Sequence, residues 1–126
     1  MSQPRLYKVE AIVLKYTDLG EADRIVTLFS PNLGKIRAVA KGVRRPRSKL
    51  GGHLEPLICG TFLIARGRNL DIISQCETID TFLPIRQDLD LASQAFYLAE
   101  LVDHFSQEDL ENYPLYRLFQ QALESL

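Results

Sequence analysis

The chain has 126 residues, 46% apolar and 25% charged, which suits one domain, or one domain with part of a second, and excludes disorder, collagen and coiled coil. Apolar runs such as Ala11 to Leu14 and Phe62 to Ala65 are four residues long, against the roughly 20 a membrane-spanning helix needs. The net charge of −1 hides a division: thirteen Lys and Arg stand against eight Asp and Glu up to Asp80, and two against eight from Thr81 onward.

In chain order, Tyr7 to Tyr16 reads as a strand, rich in β-branched and aromatic residues, and Asp18-Leu19-Gly20-Glu21 as a turn. Arg24 to Phe29 is a second strand, followed by the turn residues Ser30 to Gly34. Lys35 to Val43 alternates. Ile36, Ala38 and Ala40 point one way, and Lys35, Arg37, Val39 and Lys41 the other, giving a core face and a mostly cationic wet face. Arg44 to His53 holds Pro46, Gly51 and Gly52 and has no apolar periodicity, so an exposed, mobile loop is expected. Pro56 to Ala65 and Leu70 to Thr81 are two more strands. A two-residue turn at Gly67-Arg68 would set Cys59 opposite Cys76. Both cysteines read as small buried hydrophobes. Two cysteines make neither a four-ligand zinc site nor a disulfide scaffold, so a reducing, cytoplasmic setting is expected.

After Pro84 the period becomes helical. Asp88 or Asp90 can cap a helix reaching about Phe105, with Ala92, Ala95, Ala99 and Val102 among its apolar positions. Pro114 suits the first turn of another, with Leu115, Leu118, Phe119, Ala122, Leu123 and Leu126 as its stripe. A stripe that runs to the last residue is the pattern of a helical domain cut short, or of a helix packed back on the strands. The expected architecture is mainly β: a five-stranded OB-fold barrel over residues 1–82, then two α-helices over 83–126 that begin a truncated helical domain. An SH3-like barrel is the alternative, since strand count does not fix topology.

No catalytic constellation is present. His53 and His104 fall in different units, and no P-loop, zincin or nucleophile-elbow motif occurs. Neither an enzyme nor a cofactor is expected. The informative feature is the absence of acid between Asp23 and Glu55, where Arg24, Lys35, Arg37, Lys41, Arg44, Arg45, Arg47 and Lys49 stand. Unless acidic residues fold over them, they form a positive surface that attracts polyanions. Arg predominates, and its guanidinium binds phosphate bidentately. No recognition helix lies in this region, and no aromatic residue occurs from Ser30 to Thr61. Tyr7, Tyr16, Phe29 and Phe62 read as core residues. The pattern therefore points to nucleic-acid binding dominated by charge, tolerant of sequence and sensitive to salt. A surface for an acidic protein partner and an RNA-binding barrel remain the other readings.

The segment GEADRIVTLFSPNLGKIRAVAKGVRRPRSKLGGHLEPL, Gly20 to Leu57, resembles the N-terminal domain of the RecO family of bacterial recombination and repair mediators. VAKGVRRPRSKLGGHLEP is the strongest piece. Gly67-Arg68-Asn69-Leu70 with Glu77, the helical AFYLAEL from Ala95, and Pro114-Leu115-Tyr116 with Ala122-Leu123 extend the likeness along nearly the whole chain. The resemblance implies an OB-fold, then a helical domain that continues beyond Leu126, with a cysteine zinc site in some members towards the C-terminus. It implies binding of single- and double-stranded DNA and annealing of complementary strands. With RecR, it also implies loading of RecA onto DNA covered by single-strand binding protein, at the nucleoid and away from membranes. It adds Arg68 to the candidate DNA-binding residues.

Overall fold

The computed structural model describes residues 5–126. Five strands come first: β1 (Leu6–Leu19), β2 (Asp23–Ser30), β3 (Gly34–Ala40), β4 (Cys59–Ala65) and β5 (Asp71–Asp80). They close into a barrel in the order β1-β2-β3-β5-β4. β1 serves two neighbours. Its first half pairs with β4, from Leu6 with Ala65 to Ile12 with Cys59. Its second half pairs with β2, from Ile12 with Phe29 to Leu19 with Asp23, across a bulge between Val13 and Lys15. The remaining seam is parallel, with Ala38 beside Asp71 and Val39 beside Ile72. This is the OB-fold order, so the SH3-like alternative falls away.

Period-two alternation fills the barrel with Val9, Ala11, Val13, Val26, Leu28, Ile36, Ala38, Phe62, Ile64 and Ile73. Helices cover part of the other face of the same strands. Ile12, Leu14, Phe29 and Cys59 pack against Ala95, Ala99, Val102, Tyr116, Phe119 and Leu123. Ala11 to Leu14 is therefore buried on both faces, which is why it reads as an unbroken apolar run. Each such large side chain fully buried is worth about 1.5–3 kcal/mol.

Three helices carry that cover: α1 (Leu83–Arg86), α2 (Leu89–Phe105) and α3 (Tyr113–Ser125). The Asp88 carboxylate accepts from the Asp90 and Leu91 N–H groups at 2.9 and 3.2 Å, capping α2 as its sequence predicts. Pro114 stands in the first turn of α3. The short α1 is an addition to the two expected helices. Tyr116 of α3 donates to Glu10 Oε2 of β1 at 2.6 Å and lies 6.0 Å from the Phe29 ring, so α3 is packed back on the barrel.

Other sequence expectations need correction. β1 continues through Asp18 and Leu19, because both pair with β2, and the turn is confined to residues 20–22. β3 stops at Ala40 and not at Val43. There Gly42 takes a left-handed φ of 66° and donates its N–H to Asp23 Oδ1 at 2.7 Å, which breaks the extended chain. The β4–β5 connection is longer than a two-residue turn, and β5 starts at Asp71, whose Oδ1 accepts from the Gly67 N–H at 3.2 Å. With two bulges added, Phe62 and not Cys59 faces Cys76, and Cys59 faces Asp80. The two thiols consequently serve different cores, Cys59 the helix-covered one and Cys76 the edge of the barrel interior.

Gly34 couples the barrel to the helices. It has φ of 63°, and a Cβ there would lie 2.6 Å from the Gln107 carbonyl oxygen in the α2–α3 loop. The Lys35 N–H donates to that same oxygen at 3.0 Å. Gly34→Ala is expected to destabilise the protein by about 2–4 kcal/mol, combining left-handed strain with a backbone clash. Gly52→Ala, which meets nothing within 4 Å, should stay within about 0.5 kcal/mol of the parent. Urea unfolding of the two variants measures the difference.

Candidate nucleic-acid interface

The cationic side chains occupy three parts of the barrel. Arg37 stands on the outer wall of β3, directly across from Thr27, and is exposed. Lys41, Arg45, Arg47 and Lys49 follow β3, all exposed. Lys41 lies in the turn after the strand and not on the strand. Arg68 is exposed in the β4–β5 connection. The parallel seam brings the residues before Asp71 alongside β3, and Arg37, Asn69 and Leu70 line one surface cleft together with the acids Asp71, Glu108 and Asp109.

The segment from Lys41 to His53 is a succession of turns and not an open loop. The Arg45 N–H donates to Gly42 O and the Ser48 N–H to Arg45 O, each at 3.0 Å. Val43 and Leu54 are buried in the barrel core and Leu50 packs against it. A single 3-10 turn at Gly51–His53 ends the run, and His53 Nδ1 lies 2.6 Å from Thr78 Oγ1 on β5. These anchors were hidden because three apolar residues spread over twelve positions show no period. They leave the cationic side chains facing water from a held backbone.

Acidic residues from outside the acid-free window do fold over part of it. Asp18 Oδ1 lies 3.0 Å from Arg24 Nε, and Asp18 Oδ2 lies 3.5 Å from Arg44 Nη1. Arg24 also stacks on Tyr16, its guanidinium carbon 3.9 Å from the ring centre. Arg24 shares the β2 face of Val26 and Leu28, so it lies at the barrel mouth and not on the outer wall. Asp103 of α2 lies 2.8 Å from Lys15 Nζ and 3.0 Å from Lys35 Nζ, and Lys35 also donates to the Asp103 carbonyl at 2.8 Å. Thus Arg24, Arg44 and Lys35 each have an acidic partner, although each of the two carboxylates is shared between two cations. Arg37, Lys41, Arg45, Arg47, Lys49 and Arg68 take part in none of the ion pairs found among the described residues.

Aromatic rings are absent from this surface. Phe29 and Phe62 are fully buried. Tyr7 and Tyr16 are half-buried against the barrel core, each with a guanidinium over its ring. Among the described residues the exposed aromatics Phe96, Tyr97, Phe105 and Tyr113 all belong to α2 and α3. Arg66, whose guanidinium carbon is 4.5 Å from the Tyr7 ring centre, escaped the sequence reading because it lies outside the acid-free window. Burial pushes the Cys59 and Cys76 thiols up to about 11, so neither is a ready nucleophile near neutral pH. No group of three or more His, Cys, Asp or Glu among the described residues is placed to hold a metal ion. No helix there is long and apolar enough to cross a membrane.

A closed five-stranded barrel in this order, with helices on one wall and a cationic turn segment on another, defines an OB-fold protein with a charged surface and no stacking platform. Residues 1–82 match the family described as Recombination protein O N terminal. The whole chain is 44% identical to the DNA repair protein RecO of Dehalococcoides mccartyi strain CBDB1, covering 100% of this chain and 50% of that protein. It is 43% identical over 122 residues to the RecO of Pelotomaculum thermopropionicum, covering 97% and 48%, and 44% identical over 123 residues to that of Bifidobacterium longum strain NCC 2705, covering 96% and 52%. The chain belongs to the RecO family of DNA repair proteins, and it spans about half the length of the curated relatives it matches.

The Asp103 triad has a pH signature. Burial raises this carboxyl, but hydrogen bonds and charge from Lys15 and Lys35 outweigh that and hold it below the usual carboxylate range. A carboxylate so depressed stabilises the fold fully above its unfolded value of 3.8 and loses that contribution as pH falls through its lower folded value. With Lys15 exposed, the contribution is about 1 kcal/mol. Asp103→Asn should lose about that much at pH 7 and flatten the stability profile below pH 4, as urea unfolding across pH would record.

Proposed function

We infer that this chain is the DNA-holding part of a RecO-type recombination mediator. It grips single- and double-stranded DNA by the phosphate backbone, through Arg37, Lys41, Arg45, Arg47, Lys49 and Arg68. The observation that carries this reading is a set of exposed cations outside the ion pairs of the fold, on a surface without exposed aromatic rings.

Two DNA strands repel each other. A cationic surface that takes up phosphate charge lowers that repulsion, and without base stacking it leaves the base edges free to pair. Annealing of complementary strands follows from that chemistry, with no covalent step and no nucleotide. In the cell this activity would serve recombinational repair at the nucleoid, with RecR, single-strand binding protein and RecA as partners.

If four to six cations each neutralise a phosphate, the plot of log K against log salt on single strands should slope at about −3 to −4. Replacing Arg45, Arg47 and Lys49 together by Ala should make that slope shallower by about 2 and slow annealing in proportion. These three side chains are exposed, so the melting temperature should hold. Annealing at the parental rate in the triple variant, or tight binding indifferent to salt, would overturn the reading. Parallel titration with RNA of the same sequence separates a DNA role from a general polyanion role.

A further inference from the structure

The cluster at the barrel mouth is built around one carboxylate. Asp18 stands directly across from Arg24 in the β1–β2 ladder and reaches both Arg24 and Arg44. The two guanidiniums are held in place by contacts that do not involve it. Arg24 lies on the Tyr16 ring. Arg44 donates from Nη2 to the Gly20 carbonyl, and its backbone N–H donates to Ala22 O at 3.0 Å. The acid is also the most exposed member, its side chain 56% accessible against 19% for Arg24 and 27% for Arg44. The Arg44 Nε is buried without a hydrogen-bond partner among the described residues. The arrangement is a pair of fixed guanidiniums capped from the solvent side by a small anion.

We propose that Arg24 and Arg44 form a phosphate seat which Asp18 occupies in the free protein and which a DNA backbone phosphate takes over by displacing it. This deepens the DNA-holding reading and rests on it. An exposed carboxylate–guanidinium pair contributes little net stability, so the exchange costs little. A phosphate brings more acceptor oxygens to the two forks than one carboxylate does. The seat adjoins the turn that carries Lys41 and Arg45, so a strand held there continues onto the free cations. Asp18 then acts as a built-in competitor, which keeps the grip loose enough for a strand to be released after pairing.

The test is fluorescence anisotropy of an oligo-dT strand, over a salt series, with the parent, Asp18→Asn, Glu21→Gln, Arg24→Gln and the Asp18→Asn/Arg24→Gln double variant. Glu21 is an exposed acid in the β1–β2 turn, three residues after Asp18 and outside the ion pairs of the described residues, and controls for the simple loss of a negative charge. Asp18→Asn should tighten binding about five- to tenfold at low salt and steepen the slope by about 0.7 for each phosphate gained. Glu21→Gln should change affinity less than about twofold. Adding Arg24→Gln to Asp18→Asn should abolish the gain, a non-additivity that general field effects do not produce. Equal gains from Asp18→Asn and Glu21→Gln, or a gain that survives Arg24→Gln, would overturn the seat. Asp18→Ser serves as a second variant, with thermal melting as the folding check. If the parent binds DNA and the Arg45, Arg47 and Lys49 variant weakens it while Asp18→Asn does nothing, only the seat fails. If the parent does not bind, the DNA-holding reading fails with it.

Discussion

One strand has to satisfy four neighbours, and the rest of the molecule follows from that. β1 spends the backbone groups of its first half on β4 and those of its second half on β2, which closes the barrel and removes both of its edges. Its side chains between Ala11 and Leu14 are buried on both faces, one inside the barrel and one under the helices. The bulge between Val13 and Lys15 re-aims the strand so that Tyr16 returns to the interior and Asp18 reaches the mouth. With that wall committed to α2 and α3, the candidate cations outside the ion pairs lie on the outer face of β3, in the turns beyond it and in the β4–β5 connection.

Leu57 and Phe82 show how strictly the helix-covered wall is built. Both are non-glycine residues with left-handed backbone, at φ of 72° and 50°, and both are buried in the core shared by barrel and helices. That conformation costs free energy and persists where the surroundings determine it. Leu57 is held by its N–H donating to Val13 O at 2.7 Å, beside the bulge. Phe82 is held by its N–H donating to Asp80 Oδ1 at 2.8 Å, as the chain leaves β5 for α1. These fixed corners aim the helices at Phe29 and Cys59. They leave Phe105 and Leu118 exposed along an open apolar groove between α2 and α3.

Charge is arranged by the same folding. Asp18 and Asp103 lie outside the acid-free window, yet each reaches two cations. The effect is selective. Lys35, beside the α2–α3 loop, and Arg24 and Arg44, at the mouth, gain counter-ions, whereas Lys41, Arg45, Arg47 and Lys49 join none of the ion pairs among the described residues. A surface that looked uniformly cationic along the chain becomes graded in space, with its uncompensated part on the turns after β3.

Period-two and period-3.6 patterning made the five strands and the two long helices legible without coordinates, because a half-buried strand and an amphipathic helix each write their buried face into local spacing. The Asp88 cap, the Pro114 helix start and the acid-free window were readable for the same reason: each is a property of neighbouring residues. The register of Cys76, the end of β3, the anchoring of Val43, Leu50 and Leu54, and the counter-ions of Arg24, Lys35 and Arg44 were not. Most depend on a partner far away in the chain, as Lys35 and Asp103 are 68 residues apart, and the Asp18–Arg24 pair forms only once β1 and β2 are in register. Local sequence sets which residues are cationic and which faces are apolar. Only closure of the barrel and docking of α2 determine which of those charges meet an opposite charge, because Coulomb attraction acts over distances in space and not along the chain.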